Sequence, residues 1–96
     1  METLKVIALG DVVGEPGRRA MKEILPRLIR EEGIDFVIAN GENLAAGSGI
    51  TESTVVELFS TGVNVMTSGD HIFRKKEAES LLENSSRILK PANYPA

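Results

Sequence analysis

Five polar side chains sit just past the ends of three apolar runs: Asp11, then Glu42 and Asn43, then Asp70 and His71. A glycine precedes each group, at Gly10, Gly41 and Gly69. The groups recur at intervals of roughly 30 residues, the length of one β-α-β unit. Carboxylates, an amide and an imidazole are hard or borderline donors suited to Mn²⁺, Fe²⁺ or Mg²⁺, with Zn²⁺ also accommodated. A carboxylate lying between two strands can bridge two cations. Two metals ~3.5–4 Å apart clamp the attacking and leaving oxygens of a phosphoryl transfer. Three acids gathered without a cation would repel one another and raise each other's pKa, a conflict that bound metal removes. The glycines allow sharp turns and the close approach of a ligand.

Taken singly, each residue has a plainer reading. A carboxylate after a strand usually forms a turn or caps a helix. A single histidine is more often structural, and an asparagine in such a place is a turn residue. The metal reading therefore rests on bringing the three groups together, which depends on the intervening elements. Residues 5–9, 36–39 and 63–67 are short apolar runs rich in β-branched residues, and 87–89 begins a fourth. Runs apolar throughout suit a parallel sheet buried on both faces. Between them lie helical patterns. Met21, Ile24, Leu25, Leu28 and Ile29 share one face, with Pro16 in the first turn, Gly33 as the stop and Pro26 predicted to kink the helix or lengthen a turn. Thr51 is placed to cap a helix carrying Val55, Val56, Leu58 and Phe59 that Gly62 ends. A third helix presents Ala78, Leu81 and Leu82. The order β-α-β-α-β-α-β predicts a layered, mostly parallel α/β fold wound right-handedly. All three polar groups then fall on its carboxyl edge, where open α/β sheets bind ligands.

Composition narrows the field further. The 96 residues carry a net charge of −3 with both signs interspersed, so no basic stripe marks a nucleic-acid surface. The absence of cysteine excludes disulfides, thiolate zinc sites and cysteine nucleophiles. No run approaches the ~18 apolar residues of a membrane span. The first residues do not read as a signal peptide, and a cytoplasmic location is expected. Gly10, Gly14 and Gly17 follow a strand as a nucleotide loop would, but their spacing differs from the dinucleotide motif and no Lys-Ser/Thr pair completes a P-loop. Gly47-Ser48-Gly49 lacks the strand-to-helix frame of a nucleophile elbow.

Read together, these segments resemble a known family. Gly10-Asp11-Val12-Val13-Gly14 with Gly17-Arg18 is similar to the opening motif of the YmdB-like metallophosphoesterases, within the calcineurin-like superfamily. Asn40-Gly41-Glu42-Asn43, followed by Ala46-Gly47 and Gly49-Ile50, resembles their second motif. Ser68-Gly69-Asp70-His71 resembles their Gly-Asn-His motif, and residues 91–95 the segment leaving the next strand. The resemblance implies residues 1–96 to be the N-terminal portion of one metallophosphoesterase domain. It implies a dinuclear centre of divalent or trivalent ions, iron or manganese, and hydrolysis of small phosphodiesters such as 2′,3′-cyclic nucleotides. Asp11 and Asn43 would bind the first metal, Glu42 would bridge, Asp70 would bind the second, and His71 would protonate the leaving oxygen. Assembly into a homo-oligomer is compatible with this reading. Two features depart from the family: aspartate replaces asparagine at position 70, and three further histidine ligands of the family's second half have no counterpart in a chain whose single histidine is His71. A non-catalytic metal- or nucleotide-binding α/β module is the alternative, with a purely structural α/β domain behind it.

Overall fold

A computed structural model describes residues 2–45 and 48–94. Ala46, Gly47 and Pro95, which belong to the motifs above, lie outside the described residues. Strand β1 (Val6–Asp11) leads into helix α1 (Gly14–Glu32), strand β2 (Phe36–Asn40), helix α2 (Glu52–Ser60), strand β3 (Val65–Thr67), a 3₁₀ turn (Ile72–Arg74) and helix α3 (Ala78–Asn84). The strands form a parallel sheet in the order β1-β2-β3.

Local chemistry explains most boundaries. Gly33 closes α1 in the left-handed conformation, φ 64°, with its N–H on the Ile29 carbonyl. A glycine adopts that backbone without the steric cost of a Cβ. Pro26 sits inside α1 without dividing it, so the predicted kink does not interrupt the helix. Thr51 caps α2 as expected, in a reciprocal box with Thr54: each side chain bonds the other's backbone N–H. β3 is shorter than predicted, and at Asn64 a side chain takes part of the pairing with β2. The Asn64 backbone N–H donates to the Val37 carbonyl at 2.9 Å, while its side-chain Oδ1 accepts from the Val37 N–H at 2.8 Å.

The expected fourth strand is present only as an isolated parallel bridge between Met66 and Ile88. The Met66 N–H donates to the Arg87 carbonyl at 2.8 Å and the Leu89 N–H to the Met66 carbonyl at 2.9 Å. Arg87 spends its own side chain on the Val63 and Asn64 carbonyls and stacks over Phe59. That fixes the segment beside β3 for one residue pair and no further.

The prediction of strands buried on both faces is corrected. Met21 and Leu25 of α1 and Val55 and Leu58 of α2 pack with Val37, Ala39 and Met66 in one core, and Ile7 and Leu9 lie against it. The strand register puts these sheet residues on a common face. The opposite face carries Val6, Ala8 and Phe36, all exposed, with Ile38 and Val65 half-buried. Parallel strands taken in simple sequential order leave both connecting helices on the same side, so one apolar face stays uncovered within these residues.

Candidate metal centre

The carboxyl ends of the three strands bring the predicted residues side by side. β1 ends at Asp11, whose partner across the ladder is Asn40 at the end of β2. The chain then turns sharply at Gly41, where an added Cβ would collide with the Met66 sulfur. The turn at 42–45 follows, carrying Glu42 and Asn43. Beyond β3, residues 68–71 pass so close to this turn that a Cβ on Gly69 would overlap a Glu42 carboxylate oxygen. A side chain there would push the Glu42 carboxylate out of its present position. Gly10 differs, since a Cβ there would meet nothing within 4 Å. The close approach expected of all three glycines thus occurs at two.

Asn43 is the hub. Its Nδ2 donates to both carboxylate oxygens of Asp11, at 3.1 and 2.9 Å, and its Oδ1 lies 2.6 Å from His71 Nδ1. A carboxylate only accepts, so the amide nitrogen faces Asp11 and the amide oxygen faces the imidazole. His71 Nδ1 therefore carries a proton in this contact, and Nε2 is the nitrogen left open. Nε2 stands 3.8 Å from an Asp70 oxygen. The His71 backbone N–H donates to Glu42 Oε2 at 3.1 Å, and the Glu42 carboxylate also lies 3.7 Å from His71 Nδ1.

All five predicted residues are thereby linked, but not equally. Glu42, Asp70 and His71 each offer a donor atom within 4.8 Å of the others'. Asp11 joins them through Asn43 rather than directly. The side chains of Glu42 and His71 are 15% and 34% exposed, whereas that of Asp70 is 80% exposed, so it reaches the cluster from the solvent side. The donor set suits a cation. Two carboxylates and an imidazole converge, with no lysine or arginine paired to Glu42 or Asp70 among the described residues. The glycine cradle at position 69 keeps space around the Glu42 oxygens. This is oxygen and nitrogen ligation typical of manganese, iron or magnesium.

Two residues that sequence reasoning left without a role support the site. Asn40 Oδ1 accepts from the Glu42 N–H at 3.2 Å, and its Nδ2 reaches Glu42 Oε1 at 3.4 Å. Arg18, on α1, donates from Nη1 to the Leu44 carbonyl at 2.5 Å and from Nε to Glu57 at 3.0 Å. The signal for Arg18 was available: a long cation four residues after Gly14 and three before Met21, on the face of α1 that the core occupies.

The sequence and the architecture have relatives. The chain is 38% identical over 92 residues to a 2′,3′-cyclic-nucleotide 2′-phosphodiesterase of Bacillus subtilis, covering 96% of this chain and 35% of that protein. A crystal structure of a novel phosphatase from Mycoplasma pneumoniae superposes with TM-score 0.92 at 34% identity, over 99% of this chain and 34% of the other. A hypothetical protein of Thermus thermophilus superposes with TM-score 0.86 at 41% identity, over 94% and 34%. The chain thus spans about a third of the length of these relatives. The family model for YmdB-like proteins matches residues 7–96, almost the whole sequence, with the three polar strand ends inside the match. By that match and these likenesses, the chain belongs to the YmdB-like protein family.

Proposed function

We propose that these residues supply part of a metal-dependent phosphodiesterase centre acting on small diesters such as 2′,3′-cyclic nucleotides. The observation that carries the reading is the convergence of Glu42, Asp70 and His71 beside the Asp11–Asn43 pair at one edge of the sheet. The relative named a 2′,3′-cyclic-nucleotide 2′-phosphodiesterase supports the substrate class. A cytoplasmic location fits this reading, and no helix among the described residues is long and apolar enough to cross a membrane.

Glu42, on the turn after the middle strand with Oε1 toward Asn40 of its own strand and Oε2 toward His71 beyond β3, would be the ligand shared between two cations. Asp11 and Asn43 would hold one cation and Asp70 the other, as the family resemblance implies. Bound cations, iron or manganese by the family resemblance, would supply Lewis-acid polarisation and charge neutralisation for the phosphoryl group. Asn43 fixes the ring of His71 through Nδ1, so that Nε2, once protonated, holds the proton delivered to the leaving oxygen. The aspartate at position 70 adds a negative charge beside that nitrogen, which tightens cation binding and disfavours an incoming phosphate anion.

Assay of the full-length protein carrying these residues on 2′,3′-cyclic AMP and on a phosphomonoester separates the substrate classes. Manganese-dependent ring opening that chelator abolishes, with the monoester turned over more slowly, is the expected result. Turnover of the monoester alone would overturn the diesterase assignment.

A further inference from the structure

The turn that carries Glu42 and Asn43 is held by its carbonyls. The Glu42 carbonyl accepts from the Gly49 N–H at 2.6 Å and the Asn43 carbonyl from the Gly14 N–H at 2.9 Å. The next carbonyl in line, that of Leu44, accepts from a side chain, Arg18 Nη1, at 2.5 Å. Arg18 is only 17% exposed in its side chain, and its Nε is fixed by Glu57 of α2 at 3.0 Å. Glu57 is in turn held by Lys22, one helical turn beyond Arg18, at 3.2 Å. One guanidinium therefore joins α1, α2 and the turn bearing the proposed ligands. Its planar fork makes this possible, since separate N–H groups point at two acceptors in fixed directions.

We infer that Arg18 is a positioning residue for the candidate metal centre. By holding the Leu44 carbonyl against the α1–α2 pair, it sets the direction in which Glu42 and Asn43 project toward Asp11 and His71. Neither ligand touches Arg18, so its effect passes through the backbone of the turn. Leu44 itself is fully buried, which leaves the turn no freedom to compensate by sliding outward. The link from Arg18 to cation affinity rests on the metal reading above, whereas the fixing of the turn does not.

The test combines amide hydrogen exchange of the metal-free full-length protein with Mn²⁺ titration, for wild type, Arg18→Met, Arg18→Lys and Glu57→Gln. The amides of Gly14, Leu44 and Gly49 report the turn, and that of Ala39 in β2 reports global opening. In Arg18→Met the turn amides should exchange about tenfold faster relative to Ala39, and the Mn²⁺ Kd should rise about tenfold. Arg18→Lys should fall between, because an ammonium serves one acceptor well and not both. Glu57→Gln should lower the Tm yet leave the turn-to-Ala39 exchange ratio within about threefold of wild type. If the ratio is unchanged in Arg18→Met, Arg18 is a helix–helix strut only and the inference is overturned. If wild type takes up no Mn²⁺ while the turn amides still loosen in Arg18→Met, the metal reading fails and the positioning role stands.

Discussion

At the scale of single residues, the site is organised by one amide. Asn43 faces an acceptor-only carboxylate on one side and an imidazole on the other, and that asymmetry fixes both its own orientation and the His71 tautomer. His71→Ala should slow diester hydrolysis by ~10²–10⁴, the usual size of a lost general acid, with metal content unchanged. The loss should shrink for substrates with good leaving groups. Collapse of the metal content in that variant would make His71 a ligand instead, a role its place beside Glu42 and Asp70 also permits. The polar residues themselves were legible in the sequence, because each follows an apolar run and a glycine. Their unequal depth was not. Asp70 and Asp11 are similar in sequence context, yet Asp70 reaches the imidazole directly while Asp11 reaches it through Asn43. Spacing along a chain says which strand end a side chain occupies, and not how far it projects past its neighbours.

At the scale of elements, β-branched runs, a left-handed glycine stop and a threonine cap announced β1 to α2 with little ambiguity. The later elements were less legible. Residues 87–89 have strand composition, but the polar and proline-bearing residues that follow give the ladder nothing to extend, and one bridge is all that forms. Contacts between elements were hidden altogether. Nothing local in the sequence pairs Arg18 with Glu57, 39 residues apart. That pairing carries a pH signature. Burial raises the Glu57 pKa, but the Lys22 hydrogen bond and the charges of Arg18 and Lys22 outweigh it, so the carboxyl sits below its ordinary value of 4.5. Its contribution to stability is therefore complete above that value and is lost as the pH falls through the lowered folded-state pKa. Glu57→Gln should cost about 1 kcal/mol at pH 7, and thermal melts should show the gap to wild type closing as the pH falls from 7 to below 4.5. A gap that stays constant across that range would mean that Glu57 stabilises the helix pair through packing alone.

At the largest scale, the sheet among the described residues is covered on one face and bare on the other. Val6, Ala8 and Phe36 expose a face that an all-parallel sheet normally covers, and among the described residues β1 presents an unpaired edge beside it. Residues 1–96 alone should therefore self-associate and show little diesterase activity. Sedimentation velocity that finds a stable monomer, together with full metal-dependent turnover, would contradict this. The order of strands and helices was readable from the alternating patterns, but apolar runs look the same whether one face or both are covered, so the open face was not. The central claim, that the strand-edge cluster is a metal centre in which Glu42 bridges, is tested most directly by one comparison. Hydrolysis of bis-p-nitrophenyl phosphate by the full-length protein and its Glu42→Gln variant is measured with added Mn²⁺ and with chelator, alongside bound metal. The account predicts Mn²⁺-dependent turnover in wild type and both activity and metal lost in a folded Glu42→Gln protein, because an amide cannot neutralise two cations. Wild-type turnover and metal content in Glu42→Gln, or turnover indifferent to chelator, would contradict it.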